Sequence, residues 1–266
     1  MIMAVIPARG GSRGIPGKNV RSFLGKPLLA WTIEVARESG VFARVLVSTD
    51  NEEIAEAGKR YGADVPFRRP PELARDETPT ALVIRHAMEW CRSHNQELPE
   101  VVMVLEPTSP CRRPFHLIET AALFKQRAVE SVASVSEVPH HYVHEKLLRL
   151  HPDGTMTGMD GTPIRDMRHR RQELPTYYAF NGLVFACRSA LIMRDPTTLW
   201  GERVTAYCID RKYNLDLDVP EDWAVAESCF RRLLQEEGLL GHGAGRLRKR
   251  SAITLPLYGR SEGRKQ

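Results

Sequence analysis

No stretch of this chain approaches the roughly eighteen uninterrupted apolar residues that a membrane-spanning helix needs. Met1–Arg9 has neither the apolar core nor the cleavage site of a secretory signal, so a cytoplasmic location is expected. Cysteine is scarce. The five present, Cys91, Cys111, Cys187, Cys208 and Cys229, are odd in number, far apart and never in a C-x-x-C pair. That excludes a disulfide framework and a thiolate zinc site, and leaves reduced, mostly packed thiols. H-E-x-x-H is missing as well. The densest histidine patch, His140, His141, His144 and His151, has no cysteine beside it and does not read as a metal centre. No internal repeat is present.

What the chain does have is 266 residues, 42% hydrophobic and 27% charged. This is the arithmetic of one soluble globular domain with a modest appendage, and it excludes collagen, coiled coil and global disorder. The net charge of +5 is misleading. Gly241 to Gln266 hold seven Lys/Arg against one Glu, which leaves 31 basic and 32 acidic residues in the body. The basic character belongs to a terminal tail, and nucleic-acid binding is not expected of the fold.

An apolar run, Ile2 to Pro7, precedes a glycine-rich turn. A helical pattern follows, carried by Leu28, Leu29, Trp31, Ile33, Val35 and Ala36. The alternation returns as strand Arg44–Ser48 before helix Asn51–Tyr61, and as strand Val101–Leu105 before helix Pro114–Arg127, with strand Ser131–Val135 next. Short apolar strands alternating with helices predict a doubly wound, mostly parallel α/β sheet with ligands at the strands' carboxyl ends. Between Glu137 and Thr176 the pattern breaks into a His- and Arg-rich stretch with Asp-Gly turns, a hairpin-like arm or lid. Strands are predicted at Gly182–Ala186, Thr205–Ile209 and Tyr213–Leu217. A helix then runs from Val219 or Pro220 to about Glu237, with Gly238 just past its end. From Gly241 onward Gly, Arg and Ser dominate and disorder is expected, with Ile253–Tyr258 as a short docking strand.

Two motifs carry chemistry. Ile6-Pro7-Ala8-Arg9-Gly10-Gly11-Ser12-Arg13-Gly14-Ile15-Pro16-Gly17-Lys18-Asn19 gathers four glycines, a hydroxyl and three cations where the first strand ends. Freed backbone N–H groups with converging cations suit several phosphate oxygens at once. It is neither a Walker A loop nor G-x-G-x-x-G; the bland alternative is a surface loop with solvated cations. In Leu215-Asp216-Leu217-Asp218 strict alternation puts both carboxylates on one face. Their repulsion is relieved by a divalent cation such as Mg²⁺, although Asp218, just ahead of Pro220, could instead cap the next helix. Weaker signals are Arg69-Pro70 with Asp76 to Thr80, Glu106 to Pro110 at a strand end, and Arg168, Arg170 and Arg171, which could receive a carboxylate.

Taken together, Ile6–Asn19, Leu105–Pro110, Arg171–Gly182 and Leu215–Trp223 resemble the bacterial acylneuraminate cytidylyltransferases over roughly residues 3 to 236. The resemblance implies a Rossmann-like nucleotidyltransferase fold, a cytidylyltransferase domain at 1–238 and a basic tail at 239–266. It also implies a homodimer built through the arm near 137–176. The implied activity uses Mg²⁺ and CTP to activate a nine-carbon 2-keto sugar acid, giving a CMP-sugar and pyrophosphate. By the same resemblance Pro7, Arg9, Gly10, Gly11, Ser12, Arg13, Lys18 and Asn19 form the triphosphate loop, with Arg9 and Lys18 its key cations. Asp216 and Asp218 are the metal pair. Arg69, Thr78 and Thr80 fall at the cytosine and ribose, where the family commonly has Ala-Ser-Ser. Glu106, Arg171 and Asn181 fall at the sugar acid. Glu106 stands where the family usually has Gln, which points weakly to a legionaminic- or pseudaminic-type acid rather than simple sialic acid. Alternatives left open are an eight-carbon 3-deoxy sugar acid as substrate, GTP as donor, or an inactive nucleotide-binding relative.

Overall fold

The computed structural model describes residues 1–12, 14–126, 129–167, 170, 172 and 174–239. Arg13, Arg168 and Arg171, together with the tail from residue 240 including Ile253–Tyr258, lie outside the described residues. In chain order the elements are β1 (Ile2–Pro7), β2 (Ser22–Phe23), β3 (Lys26–Pro27), α1 (Leu28–Ser39), β4 (Arg44–Ser48), α2 (Glu52–Arg60), α3 (Thr80–Ser93) and β5 (Val101–Val104). They continue with α4 (Pro114–Gln126), β6 (Ser131–Glu137), β7 (Leu148–Leu150), β8 (Met156–Gly158), β9 (Tyr178–Arg188), α5 (Ser189–Met193), β10 (Val204–Cys208) and α6 (Asp222–Glu236).

β1 is apolar through its buried middle because it pairs on both sides, parallel to β4 and to β5. The full sheet runs β10-β6-β9-β5-β1-β4. β6 and β10 are parallel, and β9 alone runs antiparallel to its neighbours β5 and β6. From β1 the chain crosses to β4 on one side and returns to β5 on the other. The carboxyl end of β1 is therefore a topological switch point, where α/β sheets open a crevice.

Alternation along β1 sends its residues to two cores. Ala4 and Ile6 join a cluster with Ile33 of α1, Ile54 of α2, Leu117 and Phe124 of α4 and Phe230 of α6. Met3 and Val5 join Ile84 and Met88 of α3 and Ile192 of α5 on the opposite face. The sheet is thus covered on both sides, as expected for a doubly wound fold. Local chemistry agrees with the helix limits. Asn51 caps α2 by accepting the Ile54 N–H at 3.0 Å, with Glu52 and Glu53 in the first turn and Lys59 and Arg60 in the last.

Two expectations change. Tyr213–Leu217 is not a strand. Arg211–Tyr213 form a 3₁₀ turn opened by the Asp210 carboxylate, which accepts the Lys212 N–H, and residues 214–217 run irregularly. Helix α6 starts at Asp222, two or three residues later than the proline signal suggested. The excursion near 137–176 is a small antiparallel pair, β7 with β8, tied at its base by the Val138 N–H to the Tyr177 carbonyl at 2.8 Å. All five cysteines are free, and Cys91, Cys111 and Cys187 are buried.

Candidate active site

Past β1 the glycine-rich loop turns across the sheet's carboxyl edge and meets residues 216–218. The Lys18 ammonium donates to the Leu217 carbonyl at 2.6 Å and stands 3.7 Å from the Asp218 carboxylate. Gly14 packs so closely on this segment that a Cβ there would lie 2.0 Å from the Asp218 carbonyl oxygen. Asn19 is buried, and its amide donates to the Arg9 carbonyl at 2.9 Å, closing the loop on itself. Gly10 donates its N–H to Asp50 at 2.8 Å. Pro7 ends β1 opposite Ser48, while Gly11 is exposed and Ser12 half-buried in the irregular loop that follows.

The Asp216–Asp218 segment keeps the alternation that the sequence showed, without being a strand. Leu217 is buried and Leu215 partly so, while both aspartates face out. Asp218 does not cap α6. No side chain caps that helix; the Asp222 carboxylate in its first turn accepts the N–H groups of Asp218 and Val219 at 3.1 and 3.0 Å and so holds the preceding segment. Asp216 accepts from the Leu217 N–H at 3.0 Å, and the nearby Thr108 side chain favours its charged form. Its carboxyl pKa is raised, first by partial burial against the strand ends and then by the like charge of Asp218. Two exposed oxygen-donor carboxylates in this state fit Mg²⁺, which takes one or two carboxylates and fills its other positions with phosphate and water.

On the β4 side Arg69 is buried and donates from Nε to the Ser48 hydroxyl at 3.1 Å and from its terminal nitrogen to the Ser48 carbonyl. Burial holds its guanidinium down to about 10, opposed by Asp50 and reinforced by Arg9. Arg9 itself is ion-paired with Asp76 at 2.5 Å, which ties the loop before α3 to the glycine-rich loop. In that same loop Thr78 donates its hydroxyl to the Glu72 carbonyl at 3.2 Å, and Thr80 opens α3.

At the end of β5 stands Glu106. Its pKa is raised by burial and by Asp216, with a smaller contribution from Asp218, against the lowering influence of Arg112 and Lys18. Glu106, Lys18, Asp216 and Asp218 therefore share one electrostatic neighbourhood. Asn181, expected at the sugar acid, is buried, and its amide is spent inside the sheet. Its oxygen accepts from the Ser134 hydroxyl and the Leu183 N–H, and its nitrogen donates to the Ser136 hydroxyl at 2.9 Å. It fills the register shift between β6 and β9 and so sets the position of Gly182. Arg171 lies outside the described residues.

Two contributors escaped the sequence reading. Asp50 looked like part of a helix start, since Asn51 beside it is the cap. Arg112 carried no signal, because an Arg-Arg pair after a loop reads as solvated. In the structure it is fully buried, donating to the Leu183 and Glu106 carbonyls and to the Thr32 hydroxyl.

Residues 3–180 match the family model described as Cytidylyltransferase. This chain belongs to the cytidylyltransferase family. Within that family it is 37% identical over 226 residues to N-acylneuraminate cytidylyltransferase A of Danio rerio, a match covering 85% of this chain and 50% of that protein. It is 35% identical over 226 residues to N-acylneuraminate cytidylyltransferase of Oncorhynchus mykiss, covering 85% and 49%. The chain thus spans about half the length of these curated relatives. The cytidylyltransferase fold is also seen in the solved structure of CMP:2-keto-3-deoxy-manno-octonic acid synthetase complexed with CTP. There the TM-score is 0.62 at 18% identity, over 88% of this chain and 99% of that one.

Proposed function

We propose that this chain transfers a cytidylyl group from CTP to the anomeric hydroxyl of a nine-carbon 2-keto sugar acid, releasing pyrophosphate. The observation that carries the reading is the junction of the glycine-rich loop with the Asp216–Asp218 segment, where Lys18 bonds the Leu217 carbonyl and faces Asp218 at the switch point of a cytidylyltransferase-family sheet. Phosphoryl transfer asks a protein chiefly for positioning and charge neutralisation, and these are what the residues can supply. Loop N–H groups, Arg9 and Lys18 hold the triphosphate. Asp76, now on Arg9, yields that guanidinium to phosphate. The buried Arg69 clamps the end of β4 as the floor for the base and ribose, with Thr78 and Thr80 on the neighbouring loop. Asp216 and Asp218 would hold Mg²⁺, which when bound neutralises charge on the phosphates. Asn181 acts by positioning, holding Gly182 and the strand beneath the sugar acid.

The arm fits a homodimer contact. Leu148, Leu150, Met156, Tyr178 and Phe180 are exposed, the last at 69%, which is a costly apolar surface for a lone chain. Mass measurement in solution should therefore give a dimer, and Leu150→Glu should shift it toward monomer. Among the described residues no helix is long and apolar enough to cross a membrane. A CTP-consuming enzyme works where CTP is made, so we place it in the cytoplasm.

The test is pyrophosphate release with Mg²⁺, crossing CTP, GTP, UTP and ATP with sialic, legionaminic, pseudaminic and 3-deoxy-octulosonic acids. Release that requires CTP and a nine-carbon acid is expected. Release with GTP, or with the eight-carbon acid alone, would replace this reading by the neighbouring one, and a folded chain that binds CTP without turnover would make it a binding relative.

A further inference from the structure

Five acidic side chains surround the cleft, and four are engaged. Asp50 accepts from Gly10, Asp76 pairs with Arg9, Asp216 accepts from Leu217, and Asp218 faces Lys18. The Glu106 side chain, exposed at the end of β5, makes no hydrogen bond or ion pair among the described residues. Its backbone is nonetheless rigidly set. The buried Arg112 donates to the Glu106 carbonyl at 2.8 Å, and the Ser109 N–H reaches the same oxygen at 3.5 Å.

A second observation lies beside it. Gly182 sits at φ +68, and a Cβ placed there would stand 3.5 Å from the Ser109 hydroxyl and 4.0 Å from the Glu106 Oε2 oxygen. Both polar groups thus border the one hollow that the missing side chain leaves. Ser109 is 1% exposed, and its hydroxyl has no partner among the described residues. A buried hydroxyl without a partner among the described residues, beside a solvent-facing carboxylate, marks a place for a ligand.

The chemistry of that ligand follows from the donor count. An ionised glutamate accepts only, whereas a glutamine both accepts and donates and so suits a neutral acylamido group. The negative charge at this position is that of Glu106 itself, since Asp216 and Asp218 are assigned to Mg²⁺. Of the two nearby cations, Lys18 is bonded to Leu217 and Arg112 is buried under the loop, bonded to carbonyls. A carbonyl oxygen brought here would be repelled, while a positively charged N–H donor would make a charge-assisted bond. We infer that Glu106, with Ser109 and the hollow over Gly182, forms a subsite for a cationic nitrogen substituent, an amine or amidine, on the sugar acid. The accepted substrate is then zwitterionic, its own carboxylate held elsewhere in the cleft.

This inference rests on the cytidylyltransferase reading above, and the experiment separates the two. Pairs of nine-carbon acids differing only in acetamido or acetimidoyl at each amino-bearing carbon are compared by kcat/KM with CTP. The parent protein should favour the amidine member of at least one pair by about tenfold or more. Glu106→Gln should bring that ratio to within about threefold of unity, with the KM for CTP and the Mg²⁺ requirement unchanged. Ser109→Ala should lower the same ratio without lowering Tm, and it reads the subsite even if Glu106→Gln misfolds. An unchanged ratio in both variants, a parent preference for acetamido, or a shift in Mg²⁺ requirement on Glu106→Gln would overturn the subsite and leave the cytidylyltransferase reading standing. Turnover of no sugar acid with CTP would remove both.

Discussion

Replacing Gly14 by alanine tests whether the glycine-rich loop and the aspartate segment work as one unit. The effect of the change follows from the contact that the new Cβ would make. The new Cβ would lie 2.0 Å from the Asp218 carbonyl oxygen. An ordinary C···O contact begins near about 3.3 Å, so loop and segment must part by about 1.3 Å. Gly14 is exposed and the loop has room to move outward, which keeps the loss of stability near the low end of about 1–3 kcal/mol for overpacking. What moves with it is Lys18, whose ammonium now bonds Leu217 and faces Asp218. Misplacement by about 1 Å costs on the order of 10²-fold in rate. Pyrophosphate release against CTP should therefore fall about 10²-fold in kcat/KM, while Tm drops only about 2–4 °C for each kcal/mol lost. Turnover within about threefold of the parent would refute the coupling of loop to aspartates.

Asp216→Asn should lower kcat by about 10²-fold or more and weaken the response to Mg²⁺, since a lost metal contact removes several kcal/mol of transition-state stabilisation. Near-normal turnover with the same Mg²⁺ requirement would sink that assignment. Away from the cleft, Arg113 and Glu237 form a 2.7 Å ion pair at side-chain exposures of 4% and 16%, and the Tyr213 hydroxyl donates to the same carboxylate at 2.8 Å. Glu237→Ala strands a buried guanidinium and should cost about 3–5 kcal/mol in urea unfolding; a loss below about 1 kcal/mol would show the pair to be dispensable. The buried His116 accepts the Arg113 N–H at Nδ1, and burial, with Arg113, Arg112 and Lys212 nearby, holds its pKa well below the usual histidine value. The unfolded chain binds this proton first as pH falls. Its stabilising contribution is therefore complete above the ordinary histidine range and declines below it by up to about 1.4 kcal/mol per pH unit. Urea midpoints taken from neutral to mildly acidic pH should show this decline, and His116→Gln should lack it; identical pH profiles would refute the assignment.

Much of the fold was legible in the pattern of residues because burial leaves periodic traces. β1, β4, β5 and β6 read as short apolar runs, and α2 carried its own cap in Asn51. The direction of β9 was not legible, because side-chain alternation is the same in parallel and antiparallel strands. Tyr213–Leu217 misled for a related reason. Its alternation is real, with Leu217 buried and Asp216 and Asp218 outside, yet the segment crosses the strand ends with no neighbour to pair with, and the Lys18 ammonium holds its carbonyl instead. The partners of Asn181 were not legible either, because the register shift between β6 and β9 that engages its amide is a property of the paired strands.

The sequence by itself determined the chemical inventory: a loop of glycines and cations after the first strand, a pair of aspartates one residue apart, and a glutamate at a strand end. Those follow from composition and spacing, which need no partner to be read. Only the tertiary structure decided which groups stand together and which are already satisfied. Lys18 and Asp218 are 3.7 Å apart across two hundred residues of chain, Asn181 is consumed by its neighbours, and the Glu106 and Ser109 side chains have no partner among the described residues beside Gly182. Pairing and satisfaction are properties of distance in space, and distance in space is set by the order of strands in the sheet.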